Sequence, residues 1–400
     1  MIVNSSSAPQ PPAAGTDRQK ERWQRRILWL LLLLLSLTLV CVSALFCRYL
    51  LAPAPLPEMM PLPVQVSYPP HYVFSIYGVN QPVGVAVSPV GDRIYVAETA
   101  GERLVKIFDR AGNPVGEFAP PRTTAAQRSP VYVAVDRAGH VYVTDRLQHA
   151  VFVYDADGNY LDTMLSPNLT LSEYVAKHVK PHQPEIEFAY NRFEGDVYYQ
   201  PSDESPLAFP APDHEDWSPL GIRFNPQDQM LLTDVATDGS AIRRFPDNVA
   251  RPATWRTFDP ATHAFGIYGQ EQDQVLFPNA AVTDSRGRIF VSDGNNSRVS
   301  VWSADGQFLF NFGFGTGESA LSLPRGATID ARDRLYVVDA VGQSVKTYDV
   351  SQAEPEYLFS FGELGAGDGQ FIYPNDIALD SSGRLFIADR ENNRIQVWAY

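Results

Sequence analysis

The stretch Asn375-Asp-Ile-Ala-Leu-Asp-Ser-Ser-Gly-Arg-Leu-Phe-Ile-Ala-Asp-Arg-Glu-Asn-Asn-Arg-Ile-Gln-Val-Trp398 decides the fold. Two apolar runs, Ile377–Leu379 and Leu385–Ala388, flank the turn Asp380–Gly383, and a second polar turn, Asp389–Asn393, leads into Arg394–Trp398. β-branched and aromatic runs punctuated by Asp, Asn and Gly predict strand, tight turn, strand, polar turn, strand.

The phrase recurs upstream, which makes it one unit of an array. Copies read Gly84–Val87 with Arg93–Glu98, Tyr132–Asp136 with His140–Asp145, Ala280–Asp284 with Arg288–Asp293, and Gly326–Asp330 with Arg334–Asp339. A weaker copy joins Gly221–Phe224 to Gln229–Asp234. The aligned acids Glu98, Asp145, Asp234, Asp293, Asp339 and Asp389 stand 47, 89, 59, 46 and 50 residues apart, so only the second interval holds a large insertion. Each third strand ends in an aromatic, and a fourth follows, as in Phe308–Phe312 or Tyr357–Phe361. Consecutive apolar positions imply sheets covered on both faces. The prediction is an all-β, six-bladed propeller of four-stranded blades. The sixth unit stops after its third strand, and Tyr72–Gly78 repeats the fourth-strand pattern of Tyr357–Gly362, so an N-terminal strand is expected to close the ring.

The array resembles NHL-repeat β-propellers over about residues 72–400. The likeness rests on Gly365-Ala-Gly-Asp-Gly-Gln-Phe-Ile-Tyr-Pro374 and Ala388-Asp-Arg-Glu-Asn-Asn-Arg-Ile-Gln-Val397, and blade four repeats the latter as Ser292–Val299. The other blades depart from the N-x-R pattern. The family includes binding scaffolds and a few enzymes, so the resemblance speaks to fold more than to activity.

Ahead of the array, Ile27–Cys47 is an uncharged, leucine-rich run of a length that spans a bilayer as a helix. Ala44–Cys47 makes a poor cleavage site, and Arg18, Lys20, Arg22, Arg25 and Arg26 precede the run. The expectation is a single-pass anchor in the cell membrane with a cytoplasmic N-terminus and the propeller on the outer side. The domains are then a disordered basic tail at 1–26, a transmembrane helix at 27–47, a proline-rich linker at 48–70 and the propeller at 71–400. Both cysteines, Cys41 and Cys47, fall in the apolar run, leaving the propeller without a disulfide framework or thiolate metal site.

Residues 1–48 hold six basic and two acidic side chains, leaving 26 basic and 44 acidic in the remainder. Such a surface repels phosphate backbones, and no nucleic-acid partner is expected. At the axis, the positions after each blade's leading proline are Val83, Val131, Leu220, Asn279, Arg325 and Asn375, with Asp376 beside the last. One reading is an anion or carbonyl grip by Arg325 with the asparagines as positioning amides. The plainer one, favoured here, is that Arg325 and Asp376 pair across the mouth. The recurring acids read as turn-makers that accept hydrogen bonds from their own loops. No histidine aligns with the axis, so neither a metal nor another cofactor is expected.

The insertion at about 166–217 has a helical pattern at Leu171–His178, a candidate hairpin, and an acidic aromatic run with Phe209 and Trp217. Rim insertions with exposed aromatics carry binding specificity. The favoured function is a protein- or ligand-binding or assembly scaffold, recognising a protein or peptide partner in the cell envelope through the loop rim and this insertion. The alternative is a hydrolase or lyase using the axial pocket with Asn279, Arg325, Asn375 and Asp376.

Overall fold

A computed structural model describes residues 15–51, 68–121, 123–164, 217–236, 241–247 and 263–400. It divides into two units, Met1–Pro53 and Ala54–Tyr400.

The first unit is one helix, Gly15–Leu51. Its stretch Arg26–Ala44 has a mean hydropathy of 2.7 and no buried share, which makes it long and apolar enough to cross a membrane; a signal sequence meets the same test. The helix also takes in the segment from Asp17 to Arg26, which composition alone reads as unstructured. Arg, Lys, Glu and Gln are good helix formers, and continuity with the apolar run removes the cost of starting a helix there.

The second unit is a ring of six four-stranded antiparallel sheets. Their inner strands are Pro82–Val87, Pro130–Val135, Pro219–Phe224, Pro278–Thr283, Pro324–Ile329 and Pro374–Leu379, and each packs on the next around the axis. Blade six is completed by His71–Ile76 on Arg394–Ala399, with Tyr72 opposite Trp398 and Ile76 opposite Ile395. The N-terminal strand thus closes the ring, as the fourth-strand pattern predicted. Six apolar clusters fill the six inter-blade spaces, for example Val85, Ile94 and Phe386 between blades one and six. Every sheet is therefore covered on both faces, which is why its strands carry consecutive apolar residues. Blade three has the weakest repeat and a short outer strand, His263–Phe265.

Two devices fit the inner strands together. Each begins with proline, which has no N–H to give the ladder, and each breaks register just after it. Such a bulge re-aims the following side chain. The second device is close approach: a Cβ on Gly84, Gly221 or Gly326 would collide with Val131, Asn279 or Asp376 of the next blade. Glycine in blades one, three and five therefore receives the bulkier residue of blades two, four and six.

The recurring acids are structural clamps. Asp145 accepts from the amides of Ser129, Leu147 and Gln148, and Asp339 from those of Ser322, Leu323 and Gly342. Asp389 holds the Ile372 amide together with Asn392, Arg394 and Gln396. Each ties its own polar turn to the strand-to-strand loop that enters the blade, the role the turn-maker reading predicted.

Candidate binding pocket at the propeller axis

The six bulged positions converge. Val83, Val131, Leu220, Asn279, Arg325 and Asn375 line one axial cavity of about 250 Å³ on the face that carries the second-to-third-strand turns. Two further repeat columns build its wall. The residues before the prolines give Ser129, Phe277 and Tyr373, and those after the recurring acids give Thr99, Arg146 and Arg390.

The floor is a hydrogen-bond chain. Asn375 Nδ2 donates to the Val83 carbonyl at 2.8 Å and to the Tyr132 hydroxyl at 3.3 Å. Tyr132 Oη donates to Asn279 Oδ1, which also accepts from Arg325 Nη1 at 2.9 Å. Asn279 Nδ2 is held by the Phe277 and Pro324 carbonyls. Burial pushes the Tyr132 phenol well above its ordinary range, so it stays a neutral donor.

The wall alternates cation and ring. Arg146 and Arg325 lie 5.5 and 5.8 Å from the Phe277 centroid, and Arg325 and Arg390 lie 5.9 and 5.6 Å from that of Tyr373. Arg325 Nη2 also donates to Tyr373 Oη at 3.1 Å. Both aromatics adopt left-handed backbone angles, φ 60° at Phe277 and 53° at Tyr373. For bulky residues this is a strained conformation of the kind that collects at functional sites.

The structure separates the residues the sequence had grouped. Asn279, Arg325 and Asn375 share the pocket. Asp376 does not pair with Arg325. It is fully buried behind the floor, where it accepts from the Val85 amide of blade one and from Arg223, which reaches it across the axis from blade three. The bulge turns Asn375 to the mouth and the next residue into the inter-blade seam, so the expected Arg325–Asp376 pair has no geometry to form. Burial pushes the Asp376 carboxyl up while Arg223 pulls it back. Trp217 is fully buried among Leu220, Met230 and Phe245 with Arg243 over its ring, which takes it out of any surface contact. Phe209 and the rest of the insertion lie outside the described residues.

Sequence reasoning missed Tyr132, Arg146, Phe277, Tyr373 and Arg390. The signal lay one position along: each is next to an axial residue, a leading proline or a recurring acid already aligned.

The NHL-repeat family model matches residues 371–398, which take in the first three strands of the closing blade. "Protein brain tumor" of Drosophila melanogaster is 28% identical over 137 residues, 34% of this chain and 12% of that protein. "NHL repeat-containing protein 3" of Homo sapiens is 34% identical over 86 residues, 21% of this chain and 25% of that protein. These matches span a quarter or less of either relative. A crystal structure of a Bacteroides thetaiotaomicron protein of unknown function superimposes with a TM-score of 0.53 at 15% identity, covering 83% of this chain and 72% of that one, a likeness of fold alone. The chain is a six-bladed β-propeller that carries an NHL repeat in its closing blade.

Proposed function

We propose that the protein is a membrane-anchored binding scaffold whose loop rim engages a protein or peptide partner in the cell envelope. The observation that carries this reading is the axial pocket. Among the described residues its lining has stacked guanidiniums, amides and rings but no Asp, Glu, His or Cys. Those types supply most general bases and nucleophiles, so the lining suits recognition better than hydrolase or lyase chemistry. The exposed helix stretch Arg26–Ala44, with basic residues before it, supports an anchor that leaves the N-terminus in the cytoplasm and the propeller outside. The insertion at 166–217, which falls between blades two and three in the sequence, is the second contact element of this reading.

Photo-cross-linking in native membranes tests the reading. Probes at Leu147 and Val341, exposed on the turns beside the pocket, are expected to capture an envelope protein, while one at Val90, on a first-hairpin turn of the opposite face, is not. Capture from Val90 alone, or release of the chain from membranes by alkaline carbonate, overturns it.

A further inference from the structure

We infer that the axial pocket is a receptor for a single carboxylate group of a partner polypeptide, gripped by Arg325 and flanked by Arg146 and Arg390. The inference deepens the binding reading above and rests on it for the nature of the partner.

The first support is uncompensated charge. Among the described residues, Arg146 and Arg325 form no ion pair, and the carboxylate nearest Arg390 is the neighbouring Glu391 at 3.6 Å. Elsewhere in the propeller, Arg243, Arg288, Arg298, Arg334, Arg384 and Arg394 each meet an aspartate at 3.1 Å or less. Three cations with only the exposed Glu391 beside one of them repel one another, and an arriving oxyanion relieves that repulsion.

The second is directional. Arg325 has Nη1 tied to Asn279 and Nη2 tied to Tyr373, which sets the plane of its guanidinium in the pocket wall. The tied guanidinium is fixed in place on two rings, so little side-chain freedom is lost when a ligand binds it. The strained backbones of Phe277 and Tyr373 hold those rings against the cations.

Size and surroundings select the ligand. A cavity of about 250 Å³ lies below the usual range of about 300–1,000 Å³ for drug-sized ligands. It suits one side chain or one chain end. The loops around the mouth carry exposed Glu102, Asp273, Glu318, Asp368 and Glu391. A polyanionic strand crossing the rim would meet these carboxylates before and after the pocket, whereas an isolated carboxylate on a neutral chain meets only the arginines. Either an acidic side chain or a C-terminal carboxylate satisfies this chemistry.

The test uses the full chain in detergent micelles and isothermal titration calorimetry. The probes are Ac-Gly-Glu-Gly-NH2, its Gln counterpart, Gly-Gly-Gly with free and amidated C-terminus, inorganic phosphate, and oligouridylate. At least one carboxylate probe is expected to bind, with its neutral counterpart weaker by about tenfold or more, the loss of one charged hydrogen bond. Which pair shows the difference identifies side chain or terminus. Arg325→Gln is expected to abolish the difference, Arg325→Lys to restore it only in part, and the exposed Arg146→Gln to reduce it, with melting temperatures checked for all three. Equal binding of charged and neutral probes, an unaffected Arg325→Gln, or binding of phosphate or oligouridylate alone overturns the proposal. If the rim cross-links persist while no carboxylate binds, this site falls and the scaffold reading stands. Carboxylate binding without rim cross-links has the converse meaning.

Discussion

The two faces of the propeller use the same residue types to opposite ends. On the face of the first-hairpin turns, Asp284, Asp330 and Asp380 pair with Arg288, Arg334 and Arg384 four residues on, and the same carboxylates accept backbone amides. On the axial-pocket face the recurring acids clamp loops and three of them, Asp234, Asp293 and Asp389, pair with Arg243, Arg298 and Arg394, while Arg146, Arg325 and Arg390 stack on rings with no aspartate of their own. One face neutralises its charges locally and is finished as structure. The other leaves guanidiniums over, so that what looks like one repeated motif separates into a closed face and a receptive one.

The comparison is open to attack by substitution. Asp389→Ala removes the partner of buried Arg394 along with the hydrogen bonds from Ile372, Asn392 and Gln396, and is expected to cost about 4 kcal/mol in urea unfolding. A loss below about 1 kcal/mol would mean the clamps are not structural. Arg384→Ala strips Asp380 of its charged donor on the closed face, with an expected cost of about 2 kcal/mol by the same measurement.

A smaller, pH-dependent effect sharpens the picture of the closed face. Blade two there has His140 against Asp136 at 2.9 Å where three other blades have arginine. The hydrogen bond to Asp136 raises the His140 pKa above its ordinary value. The pair therefore stabilises fully below the unfolded value of about 6.5 and loses that contribution as pH rises through the higher folded value. Solvent screening keeps the effect under about 1 kcal/mol. In melting curves from pH 5 to 9, His140→Arg is expected to remove this alkaline loss; an unchanged pH profile would assign the pair no role. Smallest of all, Arg390→Gln on the receptive face is expected to leave urea stability within about 0.5 kcal/mol of the parent. A cost equal to that of Arg384→Ala would erase the distinction between the faces.

The fold was legible because its signals repeat. Six copies of one strand–turn phrase gave the blade count, and the match of Tyr72–Gly78 to Tyr357–Gly362 gave the closure. The pocket was half legible. Alignment found Asn279, Arg325 and Asn375, but the pairing of Asp376 with Arg223 depends on a contact between blades 153 residues apart in sequence. A repeat alignment says which residues share a column, not which reach across the axis. Phe277 and Tyr373 were hidden differently: an aromatic before proline reads as ordinary extended chain, and their left-handed backbones emerge only in the folded ring. Trp217 misled because an aromatic at the end of an acidic run looks exposed, whereas it begins the core of blade three.

The closing strand has a consequence for proteolysis. His71–Ile76 is hydrogen-bonded to Arg394–Ala399, so the first described strand after the N-terminal helix is itself part of the last blade. A cut between Leu51 and His71 would shed an intact ring. A cut a few residues later, beyond Ile76, would leave the closing strand on the helix side and bare the edge of blade six, with Ile395 and Val397 losing the cover of Phe74 and Ile76. Release from the N-terminal helix and destruction of the fold are thus decided by which side of a single strand a protease attacks.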